Sequence, residues 1–213
     1  MPAEPEVFVV DDDEAVRDSL SMLLESAGLS VRTFGSAPEF LDSDAPSRSG
    51  CLLIDVRMPG MDGIEVQERL RATGCPLPVI VMTGHADVPL AVRAMKAGAI
   101  DFVEKPFDED ALLSTIRTAM SRTEAVKTPA PAAPPAAVAP EVLERLAILT
   151  PREREVLEGL VAGHPNKVIA YQLSISPRTV EIHRARVMEK MQADSLPKLV
   201  RMAISAGITP AER

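Results

Sequence analysis

Residues 7–14 read VFVVDDDE, four apolar residues followed at once by four carboxylates. A short, continuous apolar run predicts a strand buried on both faces, and its abrupt end in acid marks the rim of a sheet. The acids repel one another: at an effective dielectric of about 20, two unit charges about 4 Å apart cost roughly 4 kcal/mol. Two readings are open on this stretch alone. Asp13 caps the helix that opens EAVRDSLSMLLESAG, where acid also suits the positive end of the helix dipole, or the cluster holds a cation.

Working outward, the same motif of apolar run and polar end recurs. CLLI (51–54), VIVM (79–82) and IDFVEK (100–105) predict three more strands, and VRTF (31–34) a shorter one. Helical spacing lies between them: Val16, Leu20, Leu23, Leu24 and Ala27; then Ile64 to Ala72; then Val88 to Ala97. Strand–helix alternation predicts a doubly wound α/β domain with a five-stranded parallel sheet, whose ligands gather at the carboxyl ends of the strands. Asp11 and Asp12 end the first strand, Asp55 the third, Thr83 the fourth, and Lys105-Pro106 the last. Each has an ordinary reading as a cap or a solvated end. Together at one rim they favour the cation over the cap. Asp62-Gly63 and Pro59-Gly60 read as turns, Gly98 as a left-handed helix cap, and His85 as a loop residue.

These residues carry a resemblance. VVDDDEAVR, LLIDVRMPGMDGIEV, VIVMTGHADV and AGAIDFVEKPF, in this order over residues 5–122, are similar to the receiver domain of two-component response regulators. The resemblance implies phosphoryl transfer to Asp55 from a sensor histidine kinase. It implies Mg²⁺ held by Asp12, Asp55 and the backbone carbonyl of Arg57, with Asp11 reaching the ion through water. Thr83 and Lys105 match the pair that contacts the phosphoryl group, and Phe102 the aromatic switch. Mg²⁺ suits a few carboxylates plus phosphate oxygens and water. The Lys105-Pro106 bond is expected to be cis, because only X–Pro makes that isomer cheap.

The rest of the chain has another character. TPAPAAPPAAVAP (128–140) holds five prolines and no charge, which predicts a semi-rigid extended spacer. The expected division is a receiver over 1–122, a linker over 123–142 and a second domain over 143–213. Net charge is −8 overall, but residues 1–127 carry 12 Lys+Arg against 22 Asp+Glu and residues 141–213 carry 11 against 9. The two halves therefore suit different partners.

Residues 147–206 predict a small all-α domain of four helices. Thr150-Pro151-Arg152-Glu153 is a capping box, and Val156, Leu157, Leu160 and Val161 form an inner face. A second helix from Asn166, a tight turn at Ser174–Ser176 and a third helix from Pro177 make a helix-turn-helix pattern. Five basic side chains stand against two acidic ones over residues 165–190, with His183 added. A solvated face and a DNA-binding face remain open on this pattern.

LTPREREVL and NKVIAYQLSISPRTVEIHRARVMEKM resemble the LuxR/GerE-type domain, and the whole chain is similar to the FixJ-type transcriptional regulators. The resemblance implies that residues 177–191 enter the major groove of double-stranded DNA. Lys167, Thr179, His183, Arg186 and Lys190 then contact the backbone, with Ser176, Arg178 and Arg184 beside them. Glu181, Ile182 and Ala185 fall where relatives read bases. Gly163-His164-Pro165 departs from the Gly-hydrophobic-Ser turn common among relatives. A homodimer formed on phosphorylation and RNA polymerase complete the implied partners.

Other classes fit poorly. A dehalogenase-type phosphatase needs a second acid two residues after its nucleophile, where Arg57 stands. A degenerate receiver would lack part of the acidic pocket, which is complete. An ATP-driven activator needs a G-x-x-x-x-G-K-[ST] loop, and none occurs. The chain reads as a regulator and not a dedicated enzyme. With no apolar run of membrane length, no signal-like start at MPAEPEV, and Cys51 and Cys75 expected as free thiols, it is expected to be cytoplasmic.

Overall fold

The computed structural model describes residues 5–84, 88–127 and 140–208. The spacer at 128–139 and His85 lie outside the described residues. The chain divides into two compact units.

In the first, β1 (Glu6–Val10), β2 (Ser30–Phe34), β3 (Gly50–Asp55), β4 (Val79–Thr83) and β5 (Asp101–Glu104) form one sheet in the order β2-β1-β3-β4-β5. Every neighbouring pair is parallel. The order reverses beside β1, which puts the crevice of a doubly wound sheet at the ends of β1 and β3. Val7 to Val10, Cys51 to Ile54 and Ile80 to Met82 are fully buried, as expected of strands covered on both sides. Edge strand β2 keeps exposed positions at Ser30 and Thr33.

Helices α1 (Glu14–Ser26), α2 (Ala37–Leu41), α3 (Gly63–Ala72), α4 (Val88–Ala97) and α5 (Glu109–Lys127) alternate with the strands. Leu20 and Leu24 of α1 and Leu112, Ile116 and Ala119 of α5 close over Val7, Val9, Leu53 and Met82 on one face of the sheet. Gly98 has φ +104° directly after α4, the left-handed cap that its sequence suggests.

Residues 140–208 make a helical unit: α6 (Pro140–Ala147), α7 (Pro151–Val161), α8 (Asn166–Leu173), α9 (Pro177–Met191) and α10 (Leu196–Ser205). Val156, Leu157, Leu160, Val161, Val180, Val187 and Met191 are all completely buried. The capping box at Thr150 is formed in both directions. Helix α6 is not expected from sequence, where four helices begin at 147. Pro140 opens it at a position where the missing N–H costs nothing, and Val142 and Leu146, one turn apart, are its buried pair. Helix α5 continues to Lys127, beyond the expected end of the receiver at 122, because nothing breaks it before Pro129. Among the described residues no helix is long and apolar enough to cross a membrane.

Candidate functional site

β1 ends at Val10, so Asp11 is the first residue past the sheet. Its side chain is 1 % exposed. Asp55 ends β3 and is also buried. Lys105, one residue beyond β5, reaches back between them: Nζ lies 2.5 Å from Asp11 Oδ2 and 2.7 Å from Asp55 Oδ1. The cis Lys105-Pro106 bond is present, and the Lys105 amide donates to the Thr83 carbonyl at 2.8 Å. Three strand ends are thus joined by one lysine.

The second oxygen of Asp55 accepts from the Arg57 amide at 2.5 Å. Asp11 Oδ1 accepts from the Asp13 amide at 3.0 Å, and Arg17 of α1 donates to the Asp11 carbonyl at 2.7 Å. Burial raises the Asp11 carboxyl above its ordinary value against the pull of Lys105, and the charge of Asp55 adds to the rise. Burial lowers Lys105, but its hydrogen bonds to Asp11 and Asp55 outweigh it and the ammonium is held more firmly than usual.

Asp12 and Asp13 divide the two readings of the opening stretch. Asp13 is the N-cap of α1, accepting from the Ala15 amide at 2.9 Å. Asp12 is exposed at the rim. Capping therefore accounts for one acid of the four and leaves Asp11 and Asp12 to other work. Among the described residues no three of His, Cys, Asp and Glu are gathered closely enough to hold a metal ion as they stand. The donors at this rim are nonetheless hard carboxylate and carbonyl oxygens, which in kind fit Mg²⁺.

Thr83 is fully buried. The register pairs Asp55 with Met82 and Thr83 with Glu104, so Asp55, Thr83 and Lys105 stand at adjacent strand ends. Phe102 pairs with Val81, two positions before Thr83, and so shares the sheet face of Thr83. It is buried.

Sequence reading missed two supports. A Cβ on Gly63 would stand 2.3 Å from the Asp55 carbonyl oxygen, so only glycine lets α3 start against the strand end. Asp62 caps α3 in a reciprocal box with Glu65. Turn composition signals both residues as a bend, and carries no sign of the close approach.

On the helical unit, Ser176 caps α9 by accepting from the Thr179 amide at 3.0 Å, with its hydroxyl 2.8 Å from that of Thr179. Arg178, Glu181, Ile182, Ala185 and Arg186 are exposed along α9, Lys167 is exposed on α8, and His183 and Arg184 are half-buried. Arg178 pairs with Glu181 at 2.9 Å, one turn apart. Lys190 differs from the rest: its ammonium lies 2.6 Å from Glu153 Oε2 on α7. The Lys190 and Thr150 hydrogen bonds hold the Glu153 carboxyl down to about 2.

Comparison with known proteins matches both units. Residues 7–117 match the response regulator receiver domain, and residues 147–203 the bacterial regulatory proteins of the luxR family. The chain is 52 % identical over 208 residues to the transcriptional regulatory protein FixJ of Bradyrhizobium diazoefficiens, covering 98 % of each. It is 47 % identical over 205 residues to FixJ of Rhizobium meliloti, covering 96 % of this chain and 98 % of that one. Among solved structures, full-length FixJ from B. japonicum is 52 % identical with a TM-score of 0.54, covering 97 % of this chain and 99 % of that one. The response regulator StyR is 43 % identical with a TM-score of 0.55, covering 95 % and 99 %.

Proposed function

The chain belongs to the FixJ-type response regulators of two-component systems, a receiver domain followed by a luxR-type DNA-binding domain, and on that premise we propose that Asp55 is the phosphoryl acceptor. It is a regulator of transcription and not a dedicated enzyme, with a histidine kinase and DNA as the partners its two domains call for. The observation that carries the assignment of Asp55 is the Lys105 ammonium bonded to both Asp55 and Asp11 at the rim.

An Asp55 oxygen forms a bond to phosphorus as the P–N bond to the kinase histidine breaks, its electrons returning to the imidazole. The product is an acyl phosphate. Lys105 is placed to neutralise one phosphoryl oxygen. The Arg57 amide fixes the carboxylate plane so that it meets phosphorus in line. Receiver domains use Mg²⁺ for this transfer; Asp11, Asp12, Asp55 and the Arg57 carbonyl are the oxygens that would hold it here, where it would supply positive charge between the carboxylates and the incoming anion. Thr83 follows the phosphoryl group, and Phe102, on the same sheet face, moves with it. Slow hydrolysis of the acyl phosphate resets the state.

The modified receiver forms a homodimer, which doubles the contacts of α9 with a two-fold operator and presents the complex to RNA polymerase. The receiver's working limit is the end of α5 at Lys127 and that of the second domain the start of α6 at Pro140, and the chain acts in the cytoplasm, where DNA and kinase meet.

Incubation with a small-molecule phosphodonor and Mg²⁺, followed by mass spectrometry, is expected to place one phosphoryl group on Asp55 and none on Asp55→Asn. Equal labelling of that variant would remove the assignment.

A further inference from the structure

Lys190 stands in the last turn of α9, among the residues that the family resemblance assigns to the DNA backbone. Its ammonium is already engaged. It donates to Glu153 Oε2 at 2.6 Å and lies 3.3 Å from the Ile148 carbonyl. The same Glu153 oxygen accepts from the Thr150 amide at 2.8 Å. One carboxylate oxygen therefore joins the start of α7 to the end of α9, and the lysine extends the tie to the chain just after α6.

Burial makes this tie unlike an ordinary surface pair. The Glu153 side chain is 3 % exposed and that of Lys190 32 %. Swinging the ammonium out to a phosphate would leave a buried carboxylate facing no cation, a larger loss than one exposed ionic contact returns. The Arg178–Glu181 pair offers the contrast: its partners are 82 % and 50 % exposed and part at little cost. Among the described residues no ion pair engages Lys167, Arg184 or Arg186, which leaves their charges to the solvent side.

We propose that Glu153 is a positioning residue for DNA recognition: it retains the Lys190 ammonium in an intramolecular pair on and off DNA, so that the lysine fixes the seat of α9 and makes no phosphate contact. The inference rests on α9 being the groove-entering helix, and it assigns to α7, which need not touch DNA, part of the control of how that helix is presented.

The test is the salt dependence of binding of the full chain to a mixed-sequence duplex, compared among variants. Each phosphate contact contributes about 0.9 to the slope of log K against log salt, per bound chain. Arg186→Gln is expected to flatten the slope by about that amount and Lys190→Gln to leave it unchanged. Glu153→Gln keeps an acceptor for the capping box but releases the ammonium, and should steepen the slope by about 0.9; the double variant should return it to the wild-type value. A flatter slope in Lys190→Gln, or an unchanged one in Glu153→Gln, overturns the proposal. An unchanged slope in Arg186→Gln removes the groove-entering role of α9 instead, so the two failures are distinct. Acetylation mapping of the unaltered chain needs no variant. DNA should protect Lys167 and leave Lys190 as it was, whereas protection of Lys190 by DNA would overturn the proposal.

Discussion

Each unit ties a lysine to buried acid, and the two knots differ in what they leave over. At the sheet rim one ammonium lies between two carboxylates, Asp11 and Asp55. A negative charge remains, and burial pushes the Asp11 carboxyl up. In the helical unit one ammonium meets one carboxylate whose active oxygen is also bonded to a backbone amide, and Glu153 falls to about 2. The same two kinds of side chain thus serve opposite ends. The rim is under-neutralised, with one ammonium for two buried carboxylates, while in the helical pair the charges match one to one.

The sharpest way to break this contrast is to remove both lysines in turn. Lys105→Met strands two buried carboxylates and is expected to cost about 3–5 kcal/mol in urea unfolding without divalent ions, and Lys190→Met a similar amount. Mg²⁺ should restore much of the first loss, because an ion bound by the folded state stabilises it, and none of the second. Equal responses to Mg²⁺ would mean that the two knots are of one kind.

Acid separates them next. Glu153 has a folded value of about 2 against an ordinary 4.5. Its contribution is therefore complete above about pH 4.5 and is lost as pH falls through about 2, on the order of 3 kcal/mol in all. Amide exchange in the buried turns of α7 should report this loss, and Glu153→Gln should flatten it. Asp11 works with the other sign: a carboxyl raised by burial gains a proton more readily in the folded chain, so acid favours the folded rim at that group. A helical unit whose exchange rates ignore pH between 4.5 and 2 would show the pair to be idle.

These contrasts also mark how far the sequence could be read. Strand runs, their acidic or polar ends and the amphipathic helices are local patterns, so the sheet and the convergence of Asp11, Asp55, Thr83 and Lys105 follow from alternation alone. The engagement of Lys190 does not. On α9 it looks like any other basic residue, and its partner stands 37 positions earlier on α7. Helix α6 hides because its opening proline closes a proline-rich stretch, and its apolar pair is too short to stand out. Gly63 reads as a turn, since only the folded chain brings the Asp55 carbonyl within 2.3 Å of where a Cβ would sit.

That approach gives a further comparison, between Gly60 before α3 and Gly63 at its first position. Gly60 has φ +87° and open space around it, whereas Gly63 has none. Gly60→Ala should cost about 1 kcal/mol through backbone conformation and leave Asp55 phosphorylation at its normal rate. Gly63→Ala should cost about 1–3 kcal/mol, as overpacking does, and also slow phosphorylation, because relief comes by shifting the residue that carries the acceptor. Matching phosphorylation rates in the two variants would detach Gly63 from the site.

The smallest effect tests the acids that open the sheet's rim. Asp13 holds the Ala15 amide and Asp12 lies exposed beside it, so neighbouring carboxylates should fail in different experiments. Asp13→Ala loses an N-cap, about 1 kcal/mol of unfolding free energy, with Mg²⁺ affinity little changed. Asp12→Ala should leave stability almost where it was, or raise it slightly by relieving repulsion from Asp11 and Asp55, while weakening Mg²⁺ binding measured by calorimetry. Were Asp13→Ala the variant that loses the ion, the cap and the metal donor would be one residue, and the run of acids would owe its length to something other than a division of labour.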